Sequence, residues 1–144
     1  MIKGFRHTGI VVSNIKKSLN FYQEILGLEI IVDIREDNSY INNVCNINIS
    51  NARTIKLGKN GLIFLELLYF NPTSIGSKYK LNDIGCSHIA FGVNNINDCY
   101  KKLLNNKIIV LSEPKLSPNK FAKIVFCEDP DGVKIEFVEE MPKE

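Results

Sequence analysis

Four side chains in this 144-residue sequence are of the types that hold metal ions and move protons. They are its only two histidines, His7 and His88, and two glutamates inside apolar strands, Glu66 and Glu136. Their spacing is what relates them. Laid over each other at an offset of 81 residues, "HTGIVVSNI" and "HIAFGVNNI" share Val12, Asn14 and Ile15 with Val93, Asn95 and Ile96. The final strands correspond as well, with "LEL" at Leu65–Leu67 answering "IEF" at Ile135–Phe137. Each half of an internal repeat thus brings one histidine and one glutamate. Taken singly, each has an ordinary reading. A histidine near a strand start is commonly a hydrogen-bonded structural residue, and Glu136 fits an outward position on an alternating edge strand. Glu66 is apolar on both sides, so its carboxylate needs a cation, a hydrogen-bond partner or a proton. Taken together, two imidazoles and two carboxylates at repeat-related places suit a divalent cation: zinc, nickel, cobalt, manganese or ferrous iron. Such a set leaves coordination positions open for water or substrate, as catalysis requires.

The elements that position them follow from periodicity. Ile15, Leu19 and Tyr22 correspond to Ile96, Tyr100 and Leu103, at spacings that put apolar residues on one helix face. Ser13 or Asn14 can cap the first helix and Asn94 or Asn95 the second. Gly27 stops the first helix, and an asparagine of "LLNNK" is expected to take the left-handed turn after the second. Each half reads strand, helix, then strands. The later strands of the first half are "LEIIVDI", "ARTIKLG" and "GLIFLELLYF"; those of the second are "KIIVL", "FAKIVFCE" and "VKIEFVEE". "DPDG" joins the last two as a turn. Strand alternation sets Phe64, Glu66 and Leu68 on one face, with Leu65 and Leu67 on the other. The histidine-to-glutamate distance is 59 residues in the first half and 48 in the second. The 11 extra residues fall in "REDNSYINNVCNINISN".

The bulk numbers fit a soluble globular chain of one domain. Module one spans 1–70, a polar linker 71–84, and module two 85–140. Apolar residues are 44% and charged residues 24%, with a net charge of +2, so composition points to no nucleic acid or membrane partner. No apolar run approaches a bilayer span, and "MIKGFRHTG" lacks a signal-peptide pattern, which makes the cytoplasm the expected location. The four cysteines form no CxxC pair and are expected as free, mostly buried thiols.

"HTGIVVSNIKKSLNFYQEILGLEI", "GCSHIAFGVNNINDCYKKL" and "VFCEDPDGVKIEFVE" resemble the vicinal oxygen chelate superfamily. This is the family of glyoxalase I, methylmalonyl-CoA epimerase, extradiol dioxygenases and the bleomycin and fosfomycin resistance proteins. The resemblance implies an α+β fold of two βαβββ modules, forming a curled, open mixed sheet around a metal. It implies His7, Glu66, His88 and Glu136 as ligands, and a homodimer as the favoured state.

Across such a superfamily one fold hosts many functions. The chemistry implied here is removal of a proton next to a carbonyl, with a metal stabilising the enediolate and a carboxylate as base. Glu136 is the first choice for that base, with Glu66 as ligand and second candidate. The His-Glu-His-Glu set resembles that of metal-bound glyoxalase I, a lactoylglutathione lyase. Methylmalonyl-CoA epimerases usually have glutamine where Glu66 stands. Extradiol dioxygenases need two histidines and one carboxylate, which leaves Glu66 superfluous, and metal-free drug binders lose the set. One departure concerns glutathione. Family glyoxalases carry an arginine soon after the "LGL" motif, whereas here the first is Arg35. Arg35 or Arg53 could meet a substrate anion from another direction, as could Lys120, although each also reads as a solvated charge. The expected substrate is a small carbonyl compound or an acyl thioester.

Overall fold

Asn14 and Asn95 cap the first helix of each half. A computed structural model describes residues 1–74, 76 and 80–142, and there the Asn14 side chain accepts a hydrogen bond from the Lys17 amide. Asn95 accepts from the amides of Asn97 and Asp98. Both asparagines are extended, with φ near −147, so the polar side chain turns back onto the orphan amides of the first turn. Helix α1 (Ile15–Leu19) continues as a π-helical turn over Asn20–Ile25, and Gly27 ends it at φ 77. Helix α3 (Ile96–Asn105) is further anchored where the Ile96 amide donates to Glu139 Oε2 at 2.8 Å. After α3 the left-handed residue is Lys107, at φ 57, and not an asparagine; Asn106 stays at φ −93.

The chain forms two units, Met1–Gly76 and Ser77–Glu144. The first holds β1 (Thr8–Val11), β2 (Glu29–Arg35), β3 (Asn51–Lys59) and β4 (Leu62–Asn71), in the order β1-β4-β3-β2. The second holds β5 (Ile89–Gly92), β6 (Lys115–Leu116), β7 (Ala122–Glu128) and β8 (Lys134–Glu140), in the order β5-β8-β7-β6. In both, the first strand runs parallel to the last and the other pairings are antiparallel. These are two open, four-stranded mixed sheets of an α+β fold. The linker expected at 71–84 lies partly outside the described residues. Among the described residues no helix is long and apolar enough to cross a membrane.

Two expectations need correcting. "KIIVL" is not a strand. Only Val110 bridges to Cys127, flanked by hydrogen bonds from the Leu111 amide to Phe126 O and from the Glu128 amide to Ile109 O. The pairing stops there, and the sheet edge is the two-residue β6 instead. The extra residues of the first half contain a helix, α2 (Asn38–Cys45), that periodicity did not announce. Asp37 caps it by accepting from the Tyr40 amide at 2.7 Å, and Asn46 closes it in the left-handed conformation. None of its residues is buried, and its apolar side, Tyr40, Ile41, Val44 and Cys45, spans little more than one turn.

Alternation sorts the two faces of each sheet. Ile55, Leu57, Leu65 and Leu67 are fully buried and share the first core with Phe21 and Tyr22. Val125, Cys127, Ile135 and Phe137 are their counterparts in the second. Each such side chain contributes about 1.5–3 kcal/mol on leaving water. The "DPDG" turn is held by Asp129, whose Oδ1 accepts from the amides of Asp131 and Val133 while Gly132 takes φ 88. β3 and β4 are joined by the two-residue turn Asn60–Gly61, both at positive φ, the type that matches hairpin twist.

All four cysteines are free, but Cys45 and Cys86 are exposed, so the thiols are less buried than expected. Cys86 is exposed because it lies in the loop ahead of β5. Burial pushes the Cys127 thiol up to about 12, and neighbouring Cys99, Asp129 and Glu128 add to the effect. Titration with an aromatic disulfide at pH 8 is therefore expected to modify Cys45 and Cys86 at once, Cys99 more slowly, and Cys127 only after unfolding. Four thiols reacting at one rate would contradict this packing.

Candidate functional site

The parallel pairing of β1 with β4 sets Gly9 directly beside Glu66. His7 immediately precedes β1, two residues before Gly9, so it shares that face. The imidazole reaches the carboxylate past the small Gly9, and His7 Nε2 lies 3.4 Å from Glu66 Oε2. From the other side, β3 sets Lys56 opposite Glu66, and its Nζ lies 3.3 Å from the same oxygen. The Glu66 side chain is 15% exposed, between the buried Leu65 and Leu67 of the opposite face. A carboxylate so enclosed is compensated here by an ammonium and an imidazole.

The second unit repeats the arrangement. β5 sets Ala90 beside Glu136, and His88 Nε2 lies 3.0 Å from Glu136 Oε2. β8 runs between β5 and β7, so Glu136 is on a central strand and not an edge. The residue of β7 opposite Glu136 is Phe126, whose ring meets the His88 imidazole edge-on at 5.4 Å. Ser87 Oγ lies 2.6 Å from His88 Nδ1. A hydroxyl on that nitrogen orients the ring and directs Nε2 toward the glutamate, as outer partners of metal-bound histidines do. Cys86 touches this pair only through the His88 carbonyl, at 3.9 Å.

The donors fit a divalent cation. Two ligand atoms each about 2.1 Å from one ion and at right angles are about 3 Å apart, which is the spacing of each Nε2–Oε2 pair. Each unit carries one such nitrogen–oxygen pair. Among the described residues no group of three or more His, Cys, Asp or Glu side chains comes together to hold an ion.

The other expected substrate contacts lie elsewhere. In the register, Arg35 faces Arg53 and Arg53 faces Tyr69. Arg53 is three residues from Lys56 on β3, and Tyr69 three from Glu66 on β4, so strand alternation puts both arginines on the face opposite Glu66. There they line a cavity of about 350 Å³ with Tyr69 and the start of α1. Arg53 forks onto Asp33 at 2.8 and 2.7 Å, and that guanidinium holds the Asp33 carboxyl below its usual range. Lys120 sits in the exposed turn before β7, at φ 62, its amide donating to Ser117 O.

Sequence reasoning missed Lys56, Phe126, Ser87 and the small residues Gly9 and Ala90. A signal for the first two was present. Lys56 and Phe126 each stand ten residues before their glutamate, so the repeat aligns them.

The model of the glyoxalase/bleomycin resistance protein/dioxygenase superfamily matches residues 4–137. The chain is 32% identical over 138 residues to the metallothiol transferase FosB of Staphylococcus haemolyticus, covering 94% of this chain and 83% of that one. It is 32% identical over 137 residues to a probable lactoylglutathione lyase of Synechocystis sp., covering 95% of each. A glyoxalase family protein from Bacillus cereus has the same fold, with a TM-score of 0.87 at 17% identity over 99% of this chain and 97% of that one.

Proposed function

Because the chain belongs to the glyoxalase/bleomycin resistance protein/dioxygenase superfamily, we propose that it is a metal-dependent enzyme that removes a proton next to a carbonyl, as a lactoylglutathione lyase does. The observation that carries this reading is the pairing of each histidine with a glutamate on the adjoining parallel strand, in both repeats. His7, Glu66, His88 and Glu136 are the proposed ligands of one divalent ion per chain, and the protein is proposed to act as a homodimer. The ion would supply Lewis-acid stabilisation of negative charge developing on the substrate oxygen. The glutamates do the rest. Glu66 is held from two sides, by His7 and Lys56, and suits a fixed ligand. Glu136 is held by His88 alone of the charged or titratable groups among the described residues, with the Phe126 ring alongside. It is the carboxylate free to swing, take the proton and return it to a neighbouring carbon.

A second reading, thiol transfer to a small electrophile, is favoured by the equal identity to FosB. Such a transfer needs a cation and a bound thiol but no pair of carboxylates, which is why the lyase reading comes first.

The test is a panel. Chelator-stripped protein is reloaded with nickel, cobalt, zinc, manganese or ferrous iron. It is then offered the methylglyoxal–glutathione hemithioacetal, methylmalonyl-CoA, a catechol, and fosfomycin with a thiol. The expected result is one ion bound per chain and isomerisation of the hemithioacetal. Epimerisation of methylmalonyl-CoA would keep the proton chemistry but change the substrate. Oxygen uptake on catechol, or thiol addition to fosfomycin without isomerisation, would replace the reading.

A further inference from the structure

Three residues along the strands from the glutamates, the two halves of the repeat differ. In the second unit Lys123 stands three residues before Phe126 and Glu139 three after Glu136, and the two face each other across β7 and β8. The Glu139 carboxylate accepts from the Ile96 amide at 2.8 Å, and the Lys123 ammonium donates to Asn97 Oδ1 at 2.9 Å. A protein carboxylate thus joins the sheet to the start of α3. In the first unit the same two positions, three residues from Lys56 and Glu66, hold Arg53 and Tyr69. Here β4 brings a phenol in place of the carboxylate, and the corresponding place is the cavity of about 350 Å³, lined by Arg35, Arg53, Tyr69 and Ile15, the counterpart of Ile96. Arg53 commits Nε and Nη2 to Asp33, so Nη1 has no hydrogen bond among the described residues. Arg35 lies directly across from Arg53 and forms no ion pair among the described residues, nor does the Tyr69 hydroxyl have a hydrogen-bond partner there.

We propose that this cavity binds a small organic carboxylate, which takes the place that Glu139 holds in the second unit. Like charges directly opposite each other on paired strands repel, and Asp33 balances only one of the two guanidiniums. A planar carboxylate matches a guanidinium through two parallel N–H···O bonds. Arg35 offers such a fork, and Arg53 Nη1 and the Tyr69 hydroxyl are further donors. Asp33 already holds the Arg53 guanidinium in one orientation, which lowers the cost of binding. The volume is near the lower end of ligand pockets, roughly 300–1,000 Å³, and suits a carboxylate on a short carbon chain. Arg53 and Tyr69 are on the face opposite Glu66, so the occupant is a second ligand, separate from any compound beside the His7–Glu66 pair, and its binding needs no metal.

The experiment follows the backbone-amide and arginine side-chain NMR signals of the full chain during titration with propionate. Inorganic phosphate and chloride are titrated separately at matched ionic strength. Propionate is expected to give saturable shifts at the Arg53 Nε signal and at the amides of Ile15, Arg35 and Tyr69, phosphate to bind more weakly, and chloride to give no saturation. Arg35→Met is expected to weaken propionate about tenfold to a hundredfold, the range of a hydrogen bond to a charged group. Tyr69→Glu copies the second unit and supplies the carboxylate from the chain, so it is expected to abolish propionate binding while the protein stays folded by circular dichroism. Should Tyr69→Glu fail to fold, Arg35→Met decides alone. Propionate shifts that never saturate in wild type, or an affinity unchanged by Arg35→Met, overturn the site. Phosphate binding more tightly than propionate overturns its assignment to a carboxylate.

Discussion

Glu136→Gln is expected to lose solvent-proton exchange at the substrate's α-carbon by about 10²- to 10⁴-fold, the usual contribution of a positioned general base. The amide keeps the shape of the side chain, can still accept from His88, and cannot take a proton. It is also a poorer ligand, so metal should bind more weakly, and saturating the solution with metal should restore occupancy but not exchange. Glu66→Gln is the informative companion. If Glu66 is chiefly a ligand, its loss should be largely repaired by added metal. Proton-exchange NMR in deuterated buffer, at measured metal occupancy, separates the two. Full exchange in metal-saturated Glu136→Gln, with none in Glu66→Gln, would move the base to the first half of the repeat. Unchanged far-ultraviolet circular dichroism checks that neither variant has simply unfolded.

The largest expected effect on stability is at Gly58. A methyl group there would lie inside the contact distance of the Leu62 carbonyl oxygen, 2.7 Å from its carbon and 2.9 Å from Ile31 Cδ1. The first two are backbone atoms of the facing strand and cannot rotate away. Gly58 also stands where the β3–β4 register shifts, between Leu57 and Gly58, a place where close backbone approach favours glycine. Gly58→Ala is therefore expected to cost about 3 kcal/mol or more, toward the upper end for single substitutions. Urea denaturation followed by fluorescence measures it. Gly61→Ala is the control: its φ of 78 disfavours a side chain, yet nothing lies within 4 Å, so it should cost about 1 kcal/mol. Equal costs at the two positions would show that the hairpin absorbs a methyl at Gly58. The effect bears on the site because the turn fixes the strand register. A one-residue slip of β4 would turn Glu66 to the opposite face and bring Leu65 or Leu67 beside His7.

The sequence reveals features that depend on local chemistry or on the repeat. Asn14 and Asn95 cap helices because a short polar side chain can reach the first free amides, whatever lies beyond. Gly27 and the "DPDG" turn follow from backbone preference. Glu66 and Glu136 stand out because a carboxylate interrupts an apolar alternation, and two matching interruptions are stronger than one. Features set by pairing across the sheet were harder to see. Whether "KIIVL" becomes a strand depends on how far β7 extends alongside it, and one bridge is all it makes. Helix α2 buries none of its residues and is short, so its apolar side of Tyr40, Ile41 and Val44 is too brief to read as a period. Arg35 and Arg53 stand out in the sequence by type and proximity in the chain, but the face they occupy depends on strand parity, which three residues reverse. Lys56 is hidden in the sequence for a related reason. Its meaning lies in the residue across from it, and in the contrast with Phe126.

The parallel pairing of each unit's first strand with its last also governs the order of events during synthesis. His7 is made early and its partner, 59 residues later, lies on the last strand of its unit; His88 and Glu136 are 48 apart. Neither pair can be assembled by a neighbouring turn, and each closes a long loop, which makes it a late, non-local step in folding. A growing chain therefore exposes a lone imidazole, a weak trap for any passing cation, until the strand carrying the matching carboxylate docks beside it. Docking of that strand completes the pair in its unit, and a chain truncated before β4 would lack Glu66.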